Sequence, residues 1–307
     1  MVPRIRGLIR GLEAMPLKKG KPALVGEQEA EGSTREIFSE IKQALGVPHV
    51  NLVFQAYAAH PRFLELHWRA TKPILGTQEF FQLADRLRAE AYTRTYNYFS
   101  LPDLCERVTD LSFSTGARQE LTEVVELFHY NNPLLLLLMA AQMQAFDKAV
   151  GNGGQGTRPA THPVYSEKAI LVDEATAPSP TRKIYDEIKR TVGVPLVNTD
   201  YRAFARWPDF LREYWSVLKA LMQSPLYKEH CHAIRASAVA LAQELPEQLE
   251  LTVAHLQDAG LEDEDVEAAV RLTETFLKLL SGLVLNVSIA KIGLEGGSSA
   301  APARTAA

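Results

Sequence analysis

The chain has 307 residues, 46% of them hydrophobic and 23% charged, with a formal net charge of −4. That is the balance of an ordinary globular protein long enough for one large or two modest domains, and it offers no basic field to attract nucleic acid. Cys105 and Cys231 are the only cysteines, too few for a disulfide framework or a thiolate metal site, and they suit a reducing cytoplasm, where the protein is expected to reside.

Residues 1–32 open with Arg4, Arg6, Arg10, Lys18, Lys19 and Lys21 among scattered Ile and Leu, without the continuous apolar stretch of a signal peptide. A flexible arm is expected, with an amphipathic surface-binding arm as the alternative. A helix follows: Ser33 and Glu36 have capping-box spacing, Ile37, Ile41 and Leu45 make a stripe, and Gly46 stops it. After the Val47-Pro48 turn, a short apolar helix runs to His60. Pro61 then suits the first turn of a helix carrying Phe63, Leu64 and Trp68.

Two longer helices are expected at 77–96 and 116–149. The second is interrupted at Phe128-His129-Tyr130-Asn131-Asn132-Pro133. Either the proline kinks a buried helix and opens a polar pocket, or the stretch is a plain loop. Leu134–Ala141 is wholly apolar but spans less than half of the ~20 residues a membrane helix needs, so a buried core helix is expected and no membrane partner. Residues 150–180, rich in Gly and Pro, read as a surface linker.

Beyond the linker the chain repeats itself. Arg182–Trp215 matches Arg35–Trp68 at a constant offset of 147, with 16 of 34 positions identical. Further helices are expected at 224–243 and 262–292, and the tail 294–307 is expected to be disordered. No stretch alternates with period two for long enough to demand a strand. The fold class is all-α: two tandem, pseudo-symmetric helical repeats, 33–149 and 181–293, forming one pocket at their seam.

The duplication supplies an internal control. Pro48/Pro195, Asn51/Asn198, Pro61/Pro208 and Trp68/Trp215 are shared framework. The telling departure is Val53 against Asp200, a carboxylate set just before an apolar helix face that includes Tyr201 and Phe204. Burial there would raise its proton affinity and suit a general base; a plain N-cap is the competing reading. Thr199 and Arg206 also depart from their counterparts and could contact a ligand, while Trp207 fits the core at least as well. Glu229-His230-Cys231-His232 cannot converge on one metal ion from consecutive helical positions.

These residues carry a resemblance. Val47-Pro48, Tyr130-Asn131-Asn132-Pro133, Thr199-Asp200-Tyr201 and Trp207-Pro208 recur in order in the group I 2-haloacid dehalogenases, and the chain resembles that all-helical family from about Ser33 to Ile292. The resemblance implies that Asp200 activates a water, which attacks the halogen-bearing carbon directly and inverts it, with no metal or organic cofactor. It also implies substrate contacts from Tyr130, Asn132 and Thr77, with Thr199, Tyr201 and Trp207 beside the base, a small carboxylic acid as substrate, and a homodimer. The chain departs from the family's VPWVAF at His49 and Asn51, which join the expected pocket wall as polar residues. Phe81 and Leu280 stand where members carry a glutamate and a tyrosine. Two other readings stay open: a binder or hydrolase of another small carboxylic acid, and a noncatalytic helical scaffold.

Overall fold

A computed structural model of the protein describes residues 23–108, 113–153 and 158–299. The expectations for residues 1–22 and 300–307 lie outside the described residues. Among the described residues the elements are all helical: α1 Gly32–Leu45, α2 Leu52–Tyr57, α3 Pro61–Leu75, α4 Gln78–Tyr98, α5 Leu104–Arg107, α6 Thr115–Ala145, α7 Ser179–Val192, α8 Thr199–Phe204, α9 Pro208–Met222, α10 Pro225–Ala242, α11 Val253–Asp258 and α12 Asp263–Leu294. The all-α class read from the sequence is the class observed. Three isolated bridges, such as Val150 with Leu249, are the only β-type pairings among the described residues.

Helices α1, α2 and α3 have the same lengths as α7, α8 and α9, and each pair starts 147 positions apart. Their stops are alike: Gly46 and Gly193 cap α1 and α7 in the left-handed region, at φ 66° and 78°, where a Cβ is unfavourable. The starts differ from expectation. Glu31, not Ser33, is the N-cap of α1, and the Ser33 hydroxyl instead donates to Glu65 at 2.9 Å. Pro178 is the N-cap of α7.

Matching ion pairs brace both sets. The Val50 and Val197 amides donate to Glu27 and Glu174, and Lys42 and Lys189 pair with the same two carboxylates. The Trp68 and Trp215 indoles donate to Glu40 and Glu187, each also paired with a lysine, Lys72 or Lys219. Glu27 falls in the expected arm and Glu174 in the expected linker, so both segments hold ordered bracing residues. The linker's first half is likewise tied down: the Ala160 and Tyr165 amides donate to the carbonyls of Gly76 and Gly46, both at 2.9 Å. The expected disordered tail begins with ordered residues too, because Ser298 and Leu101 exchange two backbone hydrogen bonds of 2.9 Å.

Two compact units result, and they interleave along the chain instead of following the linker. Of the described residues, unit 1 takes 23–85, 133–153, 158–168 and 235–280; unit 2 takes 86–108, 113–132, 169–234 and 281–299. Four of the five unit boundaries fall inside the long helices α4, α6, α10 and α12, and the fifth, between residues 168 and 169, falls in the linker. Helices α6 and α12 are long and apolar enough to cross a membrane, but 89% and 78% of their most apolar windows are buried inside the protein. Unit 1 packs Phe54, Phe63 and Phe146 among buried leucines; unit 2 packs Phe128, Phe204 and Phe210.

Candidate active site

Helix α6 runs unbroken through Pro133, so the interruption at Phe128–Pro133 is helical and the loop alternative falls away. Proline has no N–H to return to the His129 carbonyl, one turn earlier. The residues of that turn are polar and yet buried: His129, Tyr130, Asn131 and Asn132. Neither polar atom of the Asn131 side chain has a hydrogen-bond partner. Buried polar atoms without partners are uncommon in folded proteins and often mark a ligand or water site.

Asn132 meets the carboxylate singled out in the sequence. Its side-chain amide donates to Asp200 Oδ2 at 3.0 Å, inside unit 2. Asp200 is 4% exposed and is the second residue of α8. The N-cap is Asn198, not Asp200, so the capping explanation of this carboxylate does not hold. Burial pushes the Asp200 carboxyl up to about 6, while the Asn132 hydrogen bond and its own backbone N–H pull it down. The net balance disfavours the charged form by about 3 kcal/mol relative to a solvated carboxylate. A group with these properties is ionised at neutral pH and still basic enough to take a proton, which is what a general base requires.

A second cluster lies beside it in unit 2. Asn286 of α12 donates through Nδ2 to the Tyr201 hydroxyl at 2.9 Å and accepts from the Tyr227 hydroxyl at 2.5 Å. The Tyr214 hydroxyl donates to the Asn286 carbonyl at 2.9 Å. Desolvation holds all three phenols above their ordinary range. Asn286, Tyr214 and Tyr227 were not singled out in the sequence. The offset of 147 carried into the last helix would have found Asn286, which it pairs with Met139.

The other expected site residues divide between the units. Tyr130, Asn132, Thr199, Asp200, Tyr201 and Trp207 are in unit 2; His49, Asn51 and Thr77 are in unit 1. Tyr130 and Tyr201 are buried, Thr199 is half-buried, and Trp207 lies under the Arg206 guanidinium at 5.1 Å. Arg206 also pairs with Glu120 at 2.7 Å. His49 is half-buried, and desolvation lowers it to about 4. Asn51 Nδ2 approaches His49 Nε2 at 3.4 Å, and Asn51 Oδ1 is buried without a partner. Thr77 starts α4: its hydroxyl donates to the Ile74 carbonyl at 2.7 Å and receives the Phe80 amide at 3.4 Å. Phe81 stacks on His162 at 4.4 Å in the interior of unit 1. Among the described residues no group of three His, Cys, Asp or Glu side chains could hold a metal ion.

Comparison with known proteins agrees with the resemblance read from the sequence. A family model described as "Halocarboxylic acid dehydrogenase DehI" matches residues 48–201, half of the chain, a span that includes both Asn132 and Asp200. An (R)-2-haloacid dehalogenase of Pseudomonas putida is 28% identical over 270 residues, covering 86% of this chain and 90% of that protein. One from Rhizobium sp. (strain NHG3) is 28% identical over 225 residues, covering 72% and 87%. The solved complex of a D-2-haloacid dehalogenase mutant with D-2-CPA superposes with a TM-score of 0.86 at 26% identity, covering 92% of this chain and 98% of that one.

Proposed function

This chain belongs to the halocarboxylic acid dehydrogenase DehI family, and from that premise we propose that it hydrolyses short 2-haloalkanoic acids through a water activated by Asp200. The observation that carries the reading is the buried Asp200 carboxylate, held by Asn132 and raised to about 6. The relatives named as 2-haloacid dehalogenases support the substrate class.

In the proposed reaction the ionised carboxylate takes one proton from a water as the water oxygen bonds to C2. The C2–halogen bond breaks with its electron pair leaving on the halide. Attack opposite the leaving group inverts C2 and yields a 2-hydroxy acid. The proton on Asp200 then passes to solvent, which restores the base for the next turnover. Asn132 keeps the carboxylate oriented and favours its ionised form. Tyr130, Thr199, Tyr201 and Trp207 are assigned to holding the substrate. His49, Asn51 and Thr77 enter through the family resemblance, and the Thr77 hydroxyl already serves the start of α4. A homodimer in a reducing cytoplasm completes the proposal, consistent with Cys105 and Cys231 being thiols and not a disulfide.

Halide release from racemic 2-chloropropionate by the wild-type protein, lost in Asp200→Asn, is the expected result. No release from chloro-, bromo- or fluoro-acids would overturn it. A second reading, action on another small carboxylic acid, is favoured by polar His49 in place of the tryptophan of the resembled pattern, with Asn51 in place of its alanine. His49→Trp distinguishes the two: an improved KM for 2-chloropropionate supports dehalogenation, and an unchanged one supports the alternative.

A further inference from the structure

We propose that Asn286 is a positioning residue for Asp200: by tying Tyr201 to Tyr227 it fixes the short helix on which the carboxylate is carried. The inference rests on Asp200 being the base.

Helix α8 has six residues, too few to hold its own conformation in water, so its orientation must come from tertiary contacts. Tyr201 directly follows Asp200 in that helix and is fully buried. Its ring meets Trp215 edge-on, with centroids 6.1 Å apart, and its hydroxyl is held by Asn286 Nδ2. The opposite end of the same amide is held by Tyr227 of α10, and the Asn286 backbone carbonyl by Tyr214 of α9. Helices α8, α9 and α10 are therefore tied to α12 through one side-chain amide and the backbone carbonyl of the same residue. The bonds run in one direction, Tyr227 to Asn286 to Tyr201, and such chains polarise one another and fix a single arrangement.

Room for the cluster is built into α12. Gly282 lies one turn before Asn286, and a Cβ placed there would sit 3.1 Å from the Tyr227 hydroxyl. The positions 147 residues earlier are occupied differently. Tyr201, Tyr227, Gly282 and Asn286 correspond to Phe54, Phe80, Leu135 and Met139, and Tyr214 corresponds to His67. The same helix lengths and the same glutamate braces thus form without an amide–phenol cluster, so the architecture does not demand one. It is present in the copy that carries the carboxylate.

Tyr201 and Tyr214 both feel the Asp200 charge, and Cys231 of α10 faces Tyr201 and Tyr227. Loss of the anchor lets α8 turn, which lengthens the Asn132–Asp200 bond and removes the interaction that favours the ionised base.

The test compares Asn286→Leu and Tyr227→Phe with wild type. Halide release gives kcat and KM across pH, and infrared titration follows the Asp200 carboxyl band, identified by its absence in Asp200→Asn. Asn286→Leu should lower kcat by about ten- to hundredfold with KM changed by less than about threefold. The acid limb and the infrared midpoint should both move above their wild-type positions. Tyr227→Phe removes one oxygen and should move all three readings in the same direction by less. It decides the matter if Asn286→Leu does not fold. Unchanged kcat, limb and midpoint with only a lowered Tm make the cluster purely structural and overturn the proposal. A wild type that releases no halide sinks the dehalogenase reading instead. The infrared midpoint then still decides: unmoved in Tyr227→Phe, it overturns the positioning role.

Discussion

Helices α2 and α8 occupy matching places in their copies, and the cores around them have been discharged to different degrees. Near α2 lies a buried histidine, His67, bonded through Nδ1 to Gln142 at 2.9 Å and pushed down to about 4 by desolvation. It is neutral at pH 7. In α8, the buried group is Asp200, bonded to Asn132 at 3.0 Å and pushed up to about 6. It is ionised at pH 7. Desolvation drives both toward the uncharged form, but only the acid retains its charge at neutral pH. One unit thus keeps a neutral polar centre and the other keeps a buried charge at a cost in stability, a trade found where a group is kept for chemistry and not for packing.

The sharpest test of that difference is activity. Asp200→Asn should lower kcat by about 10²- to 10⁴-fold, and the wild-type rate should rise with pH through a limb near 6, both read by halide release. Moving the charge should not move the function. Val53→Asp puts a carboxylate in unit 1 without an Asn132 equivalent, since Leu279 stands 147 positions after Asn132. It should restore no activity to Asp200→Asn and should destabilise the protein by about 3 kcal/mol or more at pH 8, measured by urea unfolding. Equal stability of Val53→Asp and wild type would break the comparison.

The linkage has a definite sign. The Asp200 pKa is raised in the folded protein, so its contribution is fully present below the unfolded carboxylate value and is lost as pH rises through about 6. Asp200→Asn should therefore be more stable than wild type by about 3 kcal/mol at pH 8, with the difference vanishing as pH falls below 4. His67 works the other way: its pKa is lowered, so its contribution is lost as pH falls from the unfolded histidine value toward 4. Urea midpoints at several pH values resolve the two. The smallest expected effect compares the cap glycines. Gly193→Ala meets open space and should cost only the left-handed backbone, about 1 kcal/mol, whereas at Gly46 a Cβ would also lie 2.3 Å from the Pro163 carbonyl and should cost more.

Much of this contrast was legible in the sequence. Apolar stripes, terminal glycines and first-turn prolines are local signals, and they placed α1, α3, α7 and α9 within a residue or two. Asp200 stood out because its counterpart is valine. Asn132 stood out only through its polar neighbours, since no local pattern ties residue 132 to residue 200. The Ser33 cap failed because that hydroxyl finds a tertiary partner in Glu65. The extent of order in the arm was missed because the residue matching Glu27, Glu174, lies within the linker, a stretch rich in Gly and Pro. The interleaving of the units was illegible for a related reason: a continuous helix gives no sign of the residue at which it changes neighbours.

That interleaving governs how the chain can be made. Unit 1 needs residues 235–280, and unit 2 needs residues beyond 281. A ribosome that has finished the first copy has therefore produced neither. At translation speeds of about 5–20 residues per second, the apolar run Leu134–Ala141 waits on the order of ten seconds for the last segment of its unit to emerge. Burial of that run therefore waits for residues 235–280. A gene cut at the linker would leave two products that each lack part of both units.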